Sequence, residues 1–139
     1  MEYTAWNQEE QTSLLLEWDA PGERLLSAWA NTNEATEAGA VGLALAALET
    51  CASLVAVRRA ETRTGADYYV GPPGSGREDP EQCLRLEISG VDHGSASLVH
   101  RRLFEKVQQA IRGESNLPAL AGVAGFKVSL IVLEPVEAE

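Results

Sequence analysis

The chain is poor in sulfur, poor in positive charge and without a long apolar run. Its two cysteines, Cys51 and Cys83, stand far apart and form no Cys-x-x-Cys pair. A structural zinc site takes about four thiolate or imidazole ligands, and His93 and His100 are the only histidines that could join them. The thiols are therefore read as reduced side chains behaving as small apolar residues, and the histidines as surface residues. The longest apolar stretch, around Ala38 to Ala47, mixes alanine, glycine and leucine and falls short of the ~20 residues that cross a bilayer. Met1 to Glu10 lacks the basic region and the apolar stretch of a secretory signal, which makes the cytosol the expected compartment and a membrane partner unexpected. No nucleophile elbow for a serine–histidine–acid arrangement is present. The glycine- and proline-rich run Gly71–Gly76 lacks the lysine and the following helix of a phosphate loop, and reads as a linker.

The shortage of positive charge is the strongest compositional signal. Eleven lysines and arginines face 21 aspartates and glutamates, a formal net charge of −10. Such a balance favours solubility and opposes general binding to nucleic acid, whose affinity comes largely from neutralised phosphates. Much of the negative charge lies near the ends, in Glu9, Glu10, Glu17, Asp19, Glu134, Glu137 and Glu139. The cations Arg101, Arg102, Lys106 and Arg112 are concentrated in one segment, so nucleic acid can be held only by a local basic surface there. On a helix the same cluster also serves as an ordinary solvated face.

What is present fits one α/β domain spanning residues 1–139, since 139 residues with 45% hydrophobic content suffice for a single core. Residues 1–32 read as two short helices. The first covers about Glu9 to Trp18 and stops at Asp19–Ala20–Pro21–Gly22; the second runs from Glu23 to Ala30, with Leu25, Leu26 and Trp29 on one face. Residues 33–133 read as the core. A longer helix starts near Asn33 or Glu34, capped by Asn33, with a stripe of Val41, Leu45 and Leu48. Gly39, Ala40, Gly42 and Ala46 keep the rest of it small, suited to lying close on a sheet. Strands are expected at Leu54–Arg59, at Ala66–Val70 after a Thr64–Gly65 turn, and at Cys83–Ser89. In the last of these, Leu84, Leu86 and Ile88 face one way and Arg85, Glu87 and Ser89 the other. A helix over Ser97–Arg112, with Val99, Leu103, Val107 and Ala110 or Ile111 inward, ends at Gly113. Glu114 to Gly125 reads as a loop, and Phe126 to Leu133 as a central closing strand. The expectation is a four-stranded mixed sheet in α-β-β-β-α-β order, preceded by two short N-terminal helices.

That order, with Asp67 in Gly65–Ala66–Asp67–Tyr68–Tyr69 and Glu87 in Arg85–Leu86–Glu87–Ile88–Ser89, resembles the restriction-endonuclease-like superfamily, the PD-(D/E)xK nucleases. The resemblance implies Asp67 and Glu87 as metal-holding carboxylates on adjacent strands, with Glu37 or Glu34 on the first core helix completing the set. It also implies Mg²⁺, a hard ion that takes one or two protein carboxylates and keeps several waters, and that activates water for attack on a phosphate. The family's lysine position holds Ser89 here; Arg85 on the same face, or Lys106 on the following helix, would have to supply the charge. Two functions follow. One is a small nuclease-like domain, active or degenerate, serving as a subunit of a nucleic-acid-processing or defence assembly. The other is an acidic protein-interaction module, of immunity or regulatory type, with no catalytic site; acidic proteins gain association rate with basic partners through their field.

Overall fold

The computed structural model describes residues 2–7, 10–17, 19–20, 22–28, 31–59, 68–74, 83–112 and 118–136. Their elements are β1 (Glu2–Asn7), β2 (Glu10–Leu15), α1 (Glu23–Ala28), α2 (Thr32–Ala52), β3 (Val55–Arg59), β4 (Tyr68–Gly71), β5 (Leu84–Val91), α3 (Ala96–Ile111), β6 (Ala119–Gly125) and β7 (Leu130–Val136). All the strands join one seven-stranded sheet in the order β2-β1-β7-β6-β5-β4-β3. The pairs β5/β6 and β1/β7 are parallel, and the other neighbours are antiparallel. α3 carries the chain from β5 to the parallel β6, as the sequence pattern requires of a crossover.

This corrects the four-stranded sheet and the first of the two N-terminal helices; the second is present as α1. The Glu9–Trp18 segment supplies a strand, β2, which forms a hairpin with β1. Tyr3 and Leu14 are cross-strand partners, both buried in the core cluster over which α2 lies, with Leu16 packed beside them. Leu14 and Leu16 follow a period of two, which the intervening Leu15 hides in the sequence. Burial also pushes the Tyr3 phenol up from its ordinary pKa.

The second correction concerns the end of the chain. Ala119–Gly125, read as part of a loop, is the strand β6, buried at every position. It sits between β5 and β7 and is covered by a helix on each face, so it shows no polar alternation. Its residues are small because its surroundings leave no room: a Cβ on Gly122 would meet Ile88 at 2.8 Å and Leu133 at 2.9 Å. Phe126 to Ser129, read as the start of a strand, is the turn between β6 and β7, with Ser129 at a φ of 51°. β7 then continues through Pro135, where a stop is expected. Thr4 donates its amide to the Ser129 carbonyl, so by the two-residue period of a strand the odd residues of β7 turn their backbone groups towards β1. Among the described residues β1 pairs as far as Leu133, so the amide that Pro135 lacks has no ladder bond to lose there.

α2 and α3 occupy opposite faces. α2 presents Ala40, Ala44, Ala47 and Leu48 to a core of Leu86, Ile88, Leu120, Ile131 and Leu133, so the small-residue helix does lie close on the sheet. It ends without glycine: Ser53 takes a φ of 55° and the Leu54 amide bonds back to the Leu48 carbonyl. α3 covers the other face, with Val99 against Val91, Val123 and Val132, and Val107 and Ala110 against Ala119, Ala121 and Val136. Ser95 caps it by accepting the Leu98 amide at 3.3 Å.

Candidate functional site

The alternation of β5 survives in the structure, but its polar face is not solvated. Arg85, Glu87 and Ser89 are all buried, Glu87 to 1% exposure. They lie beneath α3, which runs antiparallel to β5 and meets each in turn. Ser89 Oγ accepts from Arg102 Nη1 at 3.2 Å. Glu87 Oε2 stands 4.0 Å from Lys106 Nζ. Arg85 Nη2 donates to the Ala110 carbonyl at 3.3 Å.

The match is one of periods. Alternate residues on a strand are ~6.6 Å apart, and every fourth residue on a helix ~6 Å, so 85, 87 and 89 align with 110, 106 and 102. The neighbouring strand makes room, since Arg85 and Glu87 stand beside Ala119 and Ala121 of β6. Arg85 also brings a positive charge to the C-terminal end of α3, where the helix dipole favours a cation. Arg102 is further held by Glu105, Nε to Oε2 at 3.4 Å. The result is a polar ladder of alternating charge sealed between sheet and helix.

The residues implied by the nuclease resemblance are distributed as follows. Glu87, Arg85 and Ser89 are together, in the ladder under α3. Lys106 is beside Glu87, as the migrated charge would require. Glu37 lies on α2, over the opposite face of the sheet, and its Oε1 accepts the Gly90 amide at 3.3 Å. Asp67 lies outside the described residues, as does the side chain of Glu34. Glu37 and Glu87 are thus separated by the sheet itself and do not make one cation site. Among the described residues no group of three histidines, cysteines or acids is arranged to hold a metal ion.

The basic segment is divided as well. Arg101 and Arg112 are exposed, whereas Arg102 and Lys106 turn into the ladder. What the helix shows to solvent includes Phe104 and Ile111; of the two candidates for the inner face, Ala110 takes it. Cys51 is exposed and Cys83 buried, and no disulfide links them.

One feature had no signal in the pattern of residues: the outer edge of β2. Thr4 gives its amide to β7, so its partner Ser13 is a non-hydrogen-bonded pair with β1. The backbone groups of Ser13, and by the same period those of Gln11 and Leu15, point away from the sheet. Gln11 and Ser13 are exposed and Leu15 is 71% exposed.

Fold and site together define an α/β protein with a seven-stranded mixed sheet, a helix on each face and a sealed polar ladder beneath one helix. No protein-family model, no curated protein and no solved structure matches the chain. Among the described residues no helix is long and apolar enough to cross a membrane.

Proposed function

We propose that this chain is an acidic protein-interaction module of immunity or regulatory type, working through its surface and without a catalytic site. The observation that carries the reading is the use made of Glu87. A carboxylate that activates water on a metal must be open to the ion, its waters and a phosphate. Glu87 instead faces Lys106 within the ladder, sealed by α3. A buried carboxylate beside an ammonium, with Arg85 and Arg102 in the adjoining rungs, is an arrangement for fixing a helix on a sheet. The acids that remain are on the outside: Glu17, Asp19, Glu23, Glu49 and Glu134 are exposed. With a net charge of −10, their field speeds encounter with a basic partner and rejects acidic ones.

The test is a calorimetric titration with Mn²⁺ and Mg²⁺, paired with cleavage assays on single- and double-stranded DNA and RNA. The interaction module binds neither ion in a defined ratio and cuts nothing. Stoichiometric Mn²⁺ binding that disappears in a folded Glu87→Gln variant would overturn this reading and restore the nuclease.

A further inference from the structure

We propose that the outer edge of β2 receives an extended, lysine- or arginine-rich segment of a protein partner, added to the sheet as a further strand. This rests on the interaction-module reading and names the place and chemistry of the contact.

The two edges of the sheet are built differently. At the β3 edge the ladder is interrupted between Ala56 and Arg58, and Arg58 and Arg59 stand side by side, with the Arg58 guanidinium 5.2 Å from the centre of the Tyr69 ring. A bulge and edge cations are the devices that keep a sheet from pairing with another chain. The β2 edge has neither. Its register with β1 is unbroken over six residue pairs from Glu10 to Leu15. Glu10 to Glu17 contains no proline, lysine or arginine, and among the described residues no strand pairs with its outer side. Gln11, Ser13 and Leu15 turn their amides and carbonyls outward, which is the template for strand addition.

Charge selects the occupant. The open stretch runs on into Glu17 and Asp19, both exposed, so an incoming strand meets acidic residues there whichever way it runs. A second copy is disfavoured, because pairing two such edges brings together molecules that each carry −10. A basic strand turns the same charges into attraction. Its ladder bonds supply affinity, and Leu15, exposed at the end of the edge, gives one apolar position to match.

The experiment uses the full chain, isotope-labelled for amide NMR, and a capped synthetic peptide of six residues alternating lysine and valine. Binding should protect the Gln11, Ser13 and Leu15 amides from exchange, and should weaken as salt rises. A peptide with glutamate in place of lysine should leave those amides unchanged. Ser13→Pro removes an outward amide and no bond to β1, so it should weaken binding about tenfold or more at an unchanged melting temperature. Gln11→Lys, which sets a cation against the incoming strand, serves as a second variant should the proline perturb the hairpin. Equal binding of the acidic peptide, or shifts confined to other parts of the surface, would overturn the edge proposal while leaving the interaction reading in place. A concentration-dependent dimer abolished by Ser13→Pro would also overturn it, in favour of self-pairing. Absence of any response to the lysine peptide sinks the proposal too, whereas the interaction reading itself falls only to Mn²⁺ binding and cleavage.

Discussion

Glu87 illustrates how a buried charge is held. Removing a carboxylate from water is costly, and the cost is recovered only by a counter-charge and good hydrogen bonding. Lys106 reaches it from α3 with its ammonium 4.0 Å away, its side chain still 19% exposed. Deleting one member of such a pair takes a counter-charge from the other. Lys106→Met should therefore cost about 3 kcal/mol of stability, measured by urea unfolding. Adding Glu87→Gln in the same chain should bring part of that back, because the carboxylate that lost this counter-charge is gone. Two changes that simply add would show that the rung is not coupled. The sequence displayed Arg85, Glu87 and Ser89 as one face of a strand, and that was right. It could not display the helix above them, since the partner positions 102, 106 and 110 belong to a different element and read equally well as a solvated basic face.

At the scale of elements, close approach of backbones decides where small residues are needed. Gly90 lies where α2 crosses β5, and a Cβ there would meet the Thr36 carbonyl oxygen at 2.7 Å. The obstacle is backbone and cannot swing aside. Gly42, on the same helix α2, is exposed, and a methyl group added there would have nothing within 4 Å. Gly90→Ala should thus destabilise by about 1–3 kcal/mol, whereas Gly42→Ala should stabilise by about 0.5–1 kcal/mol through helix propensity. Thermal unfolding of the two variants checks the opposite signs; two shifts in the same direction would refute the assigned packing of α2. The same crowding explains why β6 escaped recognition. Its alanines and glycines carry no strand preference, and burial on both faces removes the alternation that marked β5. The N-terminal hairpin escaped for a different reason, because Leu14, Leu15 and Leu16 satisfy a helical stripe and a strand equally well.

The two ends of the sheet differ: β3 is interrupted by a bulge, whereas the β1/β2 register is unbroken and among the described residues no strand pairs with the outer side of β2. The two cysteines differ in exposure. Cys51 is exposed near the end of α2, and Cys83 is buried beside β5. Alkylation of the native protein should label Cys51 quickly and Cys83 only at the rate of opening, with both labelled at once in denaturant; mass spectrometry counts the labels. Rapid labelling of both in the native state would contradict the buried position of Cys83. By itself the sequence determined the α/β class, the helices α1, α2 and α3 and the β3–β4–β5 region, because each rests on local periodicity or on composition. Only the tertiary structure decided that the described strands form one seven-stranded sheet, that Glu37 and Glu87 lie on opposite faces, and that none of those strands pairs with the outer side of β2. Those depend on which strands become neighbours and which helix covers which face, and pairings between distant segments leave no mark in the local order of residues.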